Sequence, residues 1–324
     1  MKVKKEYIIL AVLIVALSLY LAFYKRDRTH YKLPQLSQVP ITEITRFDIS
    51  RPDGTILLEK KNDKWVFSPE GYAADAGRVR DMLDAIGKLT LTALVSESKS
   101  YERYDLDKGK RITVKAWAGD SLRREVDVGK TAPSYRHTFV KIAGDDRVYH
   151  ARDDFRGRFD RSVEDLRDKT VLKFAEAEIG RVEIHEGKGS LTLMRKEAPV
   201  EVKAGDEGKD QGAPSPKVEP AWQTSEGKAV NESKLKTFLM DLSNLKCTAY
   251  VYDRKKTDLA DPIYTLHLTG SREYTLSIFS KRNQDEKAYP AFSSENDSPF
   301  LLSEAQAKRI MVPVEEMLAK GDQR

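Results

Sequence analysis

Side chains able to move protons, attack carbonyls or hold metals are few in this chain and widely spaced. Its five histidines, His30, His137, His150, His185 and His267, never recur at the i, i+4 spacing that places two ligands on one helix face. His185-Glu186 opens like a zinc-protease helix, but Gly189 stands where the second histidine is required. Ser96-x-x-Lys99 and Ser225-x-x-Lys228 have the spacing at which a lysine can take a serine proton, yet both fall in polar stretches read as loops, without companion motifs. Gly-x-Ser-x-Gly elbows, phosphate-binding loops and dinucleotide fingerprints are absent. The lone Cys247 excludes an intramolecular disulfide and reads as a small buried apolar group. The sequence therefore nominates no catalytic residue, no cofactor-binding residue, no metal ligand and no cofactor, and the expectation is a protein that is not an enzyme.

Charge points to place rather than reaction. Of the net +5, all lies in residues 1–32, and the remaining chain is balanced, so no basic face is implied for nucleic acid. Tyr7 to Tyr24 is 18 residues without a charge, with Tyr7, Tyr20 and Tyr24 near its ends. This reads as a transmembrane signal anchor. A signal peptide cut after Ala16-Leu17-Ser18 is the competing reading. The expected location is the cell inner membrane, single-pass through residues 7–24, with residues 25–324 extracytoplasmic. The sequons at Asn231 and Asn296 matter only in a secretory eukaryotic setting. Arg152 to Arg161 is the most basic local stretch, with Phe155 and Phe159 inside it. It reads as the approach to a helix, the phenylalanines packed and the arginines paired with Asp153, Asp154 and Asp160.

The elements that must position these groups occur twice. Val79, Met82, Leu83, Ile86 and Leu89 fall at i, i+3, i+4, i+7 and i+10, and so do Leu235, Phe238, Leu239, Leu242 and Leu245, each set the stripe of an amphipathic helix. Trp65 and Trp222 precede them. Ile44, Phe47 and Ile49 before Pro52-Asp53-Gly54 read as a hairpin, repeated at Ile179, Val182 and Ile184 before Gly187 to Gly189. Alternating runs after each helix read as antiparallel meanders. Val163, Leu166 and Lys169 match Val314, Met317 and Lys320 as a closing helix.

The expected fold class is α+β: an N-terminal transmembrane helix and two tandem repeats, each ββαββββα with helices on an antiparallel sheet. The expected boundaries are an anchor at 1–24, a tether at 25–40, a first repeat at 41–174, and a second at 175–320 with a disordered insert at 197–220. Cleft-lining aromatics, if the repeats enclose a ligand, would include Tyr135, Tyr289 and Phe292.

Trp65 with Ala73-Ala74-Asp75, the Tyr104-Asp105-Leu106 segment and Leu166-Arg167-Asp168-Lys169-Thr170-Val171-Leu172-Lys173-Phe174 resemble the bacterial family known as domain of unknown function 4340. That family tends to have glycine where this chain has Asp105. The resemblance implies an accessory envelope role beside ABC-type transporters linked to gliding motility, with a permease and ATPase as partners and no established catalytic residues. The expected function is a non-catalytic interaction or scaffold module of such a system; a small-ligand or glycan binding protein with a cleft between the repeats is the alternative.

Arg167-Asp168, where the first repeat gives way to the second, reads as a buried ion pair. Removing one charge from a buried pair strands the other, at about 3–5 kcal/mol. Arg167→Ala should lower the thermal midpoint sharply, as read by circular dichroism, and an unchanged melting curve would rule out the buried ion pair.

Overall fold

A computed structural model describes residues 5–23, 31–198, 219–252, 255–281, 283 and 285–319. It divides into two compact units, Met1–Leu166 and Arg167–Arg324. The first contains α1 (Lys5–Phe23), β1 (Arg46–Arg51), β2 (Gly54–Lys61), β3 (Lys64–Phe67), α2 (Ala76–Gly87), β4 (Leu91–Ser96), β5 (Ile112–Ala118), β6 (Ser121–Thr131), β7 (His137–Ile142), β8 (Val148–Arg152), α3 (Arg156–Phe159) and α4 (Val163–Leu166). The second contains β9 (Thr170–Lys173), β10 (Arg181–Glu186), β11 (Gly189–Ala198), β12 (Glu219–Thr224), α5 (Glu232–Ser243), β13 (Asn244–Lys246), β14 (Ala249–Tyr250), β15 (Tyr264–Thr269), β16 (Glu273–Ile278), β17 (Ala288–Ser293), β18 (Phe300–Ser303) and α6 (Glu304–Ile310).

Each unit is built on one eight-stranded sheet, ordered β3-β2-β1-β5-β6-β7-β8-β4 in the first and β12-β11-β10-β15-β16-β17-β18-β14 in the second. The two orders are the same, and every pairing within the two sheets is antiparallel. A separate short ladder joins β9 to β13.

The expected α+β class with ββαββββα repeats is therefore corrected: the protein is mostly β, with few helices. Trp65 and Trp222, which precede the helices as expected, lie in strands, β3 and β12. Those third strands, together with the edge strands β4 and β14, are absent from the sequence reading. The closing helices shrink to single turns at Val163–Leu166 and Val314–Met317; Lys320 lies outside the described residues.

The transmembrane helix is also corrected. Among the described residues no helix is long and apolar enough to cross a membrane. α1 starts on the charged Lys5 and Glu6. Tyr24, positions 25–30 of the expected tether and 199–218 of the expected insert lie outside the described residues. Further along the tether stretch, Val39 is buried, and Leu33 and Leu36 pack against the first core.

Alternation builds both sheets. Phe47 and Ile49 of β1 point to the core, opposite Leu58 and Ile56 on one side and Ala116 and Val114 on the other. Val182 and Ile184 of β10 do the same opposite Leu193, Leu191, Leu268 and Leu266. The helix of each unit runs between the two outermost strands of its sheet, from β3 to β4 and from β12 to β14, so it lies across one face. α2 buries Val79, Met82 and Ile86, and α5 buries Leu235, Phe238, Leu239 and Leu242. Asp75 caps α2 by accepting from the Arg78 N–H at 3.0 Å, and Asn231 caps α5 by accepting from the Lys234 N–H at 3.1 Å.

The turn between β7 and β8 is fixed by one carboxylate. Asp145 accepts from the Arg147 backbone N–H and Nε at 3.0 Å, from Nη2 at 2.8 Å and from the Tyr149 hydroxyl at 2.8 Å. These donors, Arg147 foremost, hold its carboxyl well below the usual carboxylate range. The Tyr149 hydroxyl is pushed up to about 12, mainly by burial and then by Asp145. A depressed folded-state value means the contribution is complete above the ordinary carboxylate pKa and is lost as pH falls through the folded one. Between about pH 4 and pH 2 the wild type should therefore lose more stability than Asp145→Asn. Urea midpoints across that range check it; parallel acid limbs would show that Asp145 contributes nothing.

Candidate functional site

The groups that could do chemistry are brought into pairs without forming a reactive cluster. His137 and His150 stack across β7 and β8 at 5.3 Å between ring centroids, and His185 and His267 meet edge-on across β10 and β15 at 6.0 Å. Burial, then the neighbouring His137, lowers the His150 pKa, favouring neutral imidazole. Among the described residues no group of three or more His, Cys, Asp or Glu is placed to hold a metal ion.

Lys99 pairs with Asp146 at 2.6 Å, and this carboxylate raises its pKa, the wrong direction for a base toward Ser96. Ser96 instead bonds Ser98 at 2.8 Å. Lys228 pairs with Glu226 at 2.8 Å. In the Arg152–Arg161 stretch, Phe155 and Phe159 are buried and Arg156 meets Asp160 at 3.0 Å. Cys247 lies in the second core. Asn231 serves as a helix cap, and Asn296 donates to the Tyr250 hydroxyl.

A concavity lies on the second unit, on the face of its sheet away from α5. It is a cleft of about 360 Å³ walled by Tyr250, Tyr252, Leu259, Pro290, Pro299 and Leu301, with Glu286 and Lys287 beside them. Ala291, Phe300 and Leu302 on the same strands point the other way, into the core.

Behind the tyrosines stands Arg167, only 4% exposed. Its guanidinium carbon is 3.5 Å from the Tyr250 ring centroid and 5.5 Å from that of Tyr252. Nη1 donates to the Tyr252 hydroxyl at 3.2 Å and Nη2 to Ser298 Oγ at 3.3 Å. Asp168 accepts from the Thr170 N–H at 2.9 Å. Thus Arg167 is buried as expected, and its contacts include two aromatic faces and two hydroxyls. Burial drives the Tyr250 hydroxyl pKa upward, so the phenol stays protonated and donates to the Asp168 carbonyl oxygen at 2.8 Å.

The first unit shows why this cleft exists. By strand register, Phe139 corresponds to Pro290, Val148 to Pro299 and Gly129 to Phe279. In the first unit Leu106, Ala132, Phe139 and Val148 form a closed cluster, and Leu106 is 0% exposed. The turn Tyr101–Tyr104 that carries Leu106 can descend onto β6 because residue 129 is glycine. A Cβ there would lie 2.2 Å from the Tyr104 carbonyl oxygen and 2.9 Å from Leu106 Cγ. In the second unit a phenylalanine holds that position, Leu259 on the matching turn is only half-buried, and the space stays open.

Tyr289 and Phe292 fall on opposite faces of β17. Tyr289 packs against the core under Lys281, and Phe292 lies under Lys256 at 3.7 Å. Tyr135, 83% exposed at a turn of the first unit, belongs to neither group. The cleft residues Leu259, Pro290 and Pro299 escape a search for reactive groups; the signal that finds them is the mismatch between the two copies at Gly129/Phe279 and Phe139/Pro290.

Gly129→Ala should therefore cost about 1–3 kcal/mol, the penalty of overpacking, because backbone rather than a flexible side chain stands in the way. Urea denaturation measures it; a wild-type midpoint would mean the turn does not sit on β6.

No curated protein and no solved structure matches the chain. Residues 65–263 match a family described as Domain of unknown function (DUF4340). The match runs from the third strand of the first sheet to the threshold of β15, spanning more than half of the sequence, and so the chain belongs to the DUF4340 family.

Proposed function

We propose that this protein is a non-catalytic interaction module, accessory to an ABC-type transport or motility assembly, and that its second unit seats an apolar side chain of a partner subunit in the cleft of Tyr250, Leu259 and Leu301. The observation that carries the reading is the contrast between the two sheets. The same strands and the same turn enclose a dry cluster in the first unit and leave an aromatic- and proline-walled cleft in the second. Such a lining suits an anchor residue of the kind that dominates protein interfaces. Chemistry is disfavoured by the engagement of Lys99 and Lys228 with carboxylates.

A small apolar ligand is the second reading. At about 360 Å³ the cleft is at the lower end of ligand pockets, which run from about 300 Å³ upward.

Affinity purification from detergent-solubilised cells, followed by mass spectrometry, separates the two. A permease and ATPase recovered with wild type and lost with Leu301→Arg, with the thermal midpoint held within a few degrees, support the interaction module. Equal recovery with both forms, or recovery of neither subunit with wild type, overturns it. A small molecule released on denaturing wild type but not Leu301→Arg would establish the second reading.

A further inference from the structure

The first unit carries a buried cation that its fold does not require. Arg124 on β6 stands on the same face as Val126 and Val128, turned toward the core, and is 7% exposed. The register-related position in the second sheet is Tyr274, a neutral side chain whose hydroxyl accepts from Arg272 Nε at 2.9 Å. An uncharged residue therefore serves the same architecture.

The charges around Arg124 are already matched to one another. Arg123 meets Glu43 at 3.4 Å, and Glu125 meets Lys115 at 3.6 Å. Arg124 Nη2 donates to the Ser37 carbonyl oxygen, and Nη1 finds no acceptor among the described residues. Burial lowers the Arg124 pKa, but a guanidinium starts so far above neutrality that it stays charged. A buried charge without a counter-charge is the arrangement that folded proteins avoid.

Space for a counter-charge adjoins it. Gln35, Ser37, Leu122, Arg124 and Ile142 line a cleft of about 340 Å³ between the approach to the first sheet and the β6–β7 edge of its face, with Arg123 and Glu125, each held in the ion pairs above, also on its wall. Gln35 and Ser37 add neutral donors to the same lining. The planar fork of a guanidinium matches the paired oxygens of a carboxylate or phosphate.

We propose that Arg124 anchors an oxyanion-binding site in this cleft, taking a compact phosphate- or carboxylate-bearing ligand as the counter-ion its buried guanidinium lacks. This site is on the first unit and stands independently of the cleft beside Tyr250.

The test titrates the full chain with inorganic phosphate and with acetate at constant ionic strength. It reads the thermal midpoint and the Arg124 Nε–H resonance, and repeats both on Arg124→Tyr, which copies Tyr274, and Arg124→Gln. The expected result is a saturable rise in midpoint with movement of the Arg124 signal in wild type, and affinity at least about tenfold weaker in both variants. Anionic phosphatidylglycerol vesicles form a second arm, with phosphatidylcholine as control. Binding to the anionic vesicles alone, lost in Arg124→Tyr, supports the site with a lipid headgroup as the source of the phosphate. No response to any probe in wild type, or an equal response in Arg124→Tyr, overturns the proposal; the wild-type resonance decides the matter even if a variant fails to fold.

Discussion

One helix can cover only one face of an eight-stranded sheet, and the other face must be closed by whatever the remaining chain provides. Strands about 4.8 Å apart make each sheet far wider than the diameter of a helix. α2 and α5, twelve residues each, lie across the inner faces. On the outer face of the first unit the closing piece is the turn at Tyr101–Tyr104, pressed onto β6 until Leu106 loses all contact with water. The contact depends on a position without a side chain, Gly129. Asp105 ends that turn at φ +55°, in the left-handed region where glycine is the ordinary choice. An aspartate tolerates this conformation better than most residues.

Much of this scaffold could be read from residue order. The alternation of Phe47 and Ile49, the stripes of Val79–Leu89 and Leu235–Leu245, and the polar residues Asp75 and Asn231 before them each express a local rule. The short outer strands obey no such rule. β4 pairs with β8 through two register irregularities, and β14 has two residues, so their existence is decided by a partner strand distant in sequence. The mostly β class follows from those missed strands. Pairing explains the histidines as well: His185 and His267 are far apart along the chain, and only the β10–β15 register makes them neighbours.

Adjacency in sequence shows only part of the surroundings of Arg167-Asp168, for a related reason. Successive residues of an extended segment point in opposite directions. Asp168 turns back to the Thr170 N–H, while Arg167 enters a sandwich of tyrosines. Its burial was legible from its place beside the apolar run Val171-Leu172, but its aromatic company was not, since Tyr250 and Tyr252 arrive from more than eighty residues downstream.

The two sheets test each other's departures from consistent packing. Where local and global preferences disagree, the disagreement is evidence about function only if the fold could have avoided it. In a solitary domain that condition is hard to judge. Here the first unit closes its outer face with Gly129 and Leu106, so the open cleft at Leu259 and Pro290 is not forced by the topology. The second unit fills the position of Arg124 with Tyr274, so a buried guanidinium is not forced either. Each unit gives up stability at a place where its counterpart does not, and the two places lie on opposite faces of matching sheets, one apolar and one cationic. Shared topology sets the frame in both, and the departures at these positions are what the proposed binding roles rest on.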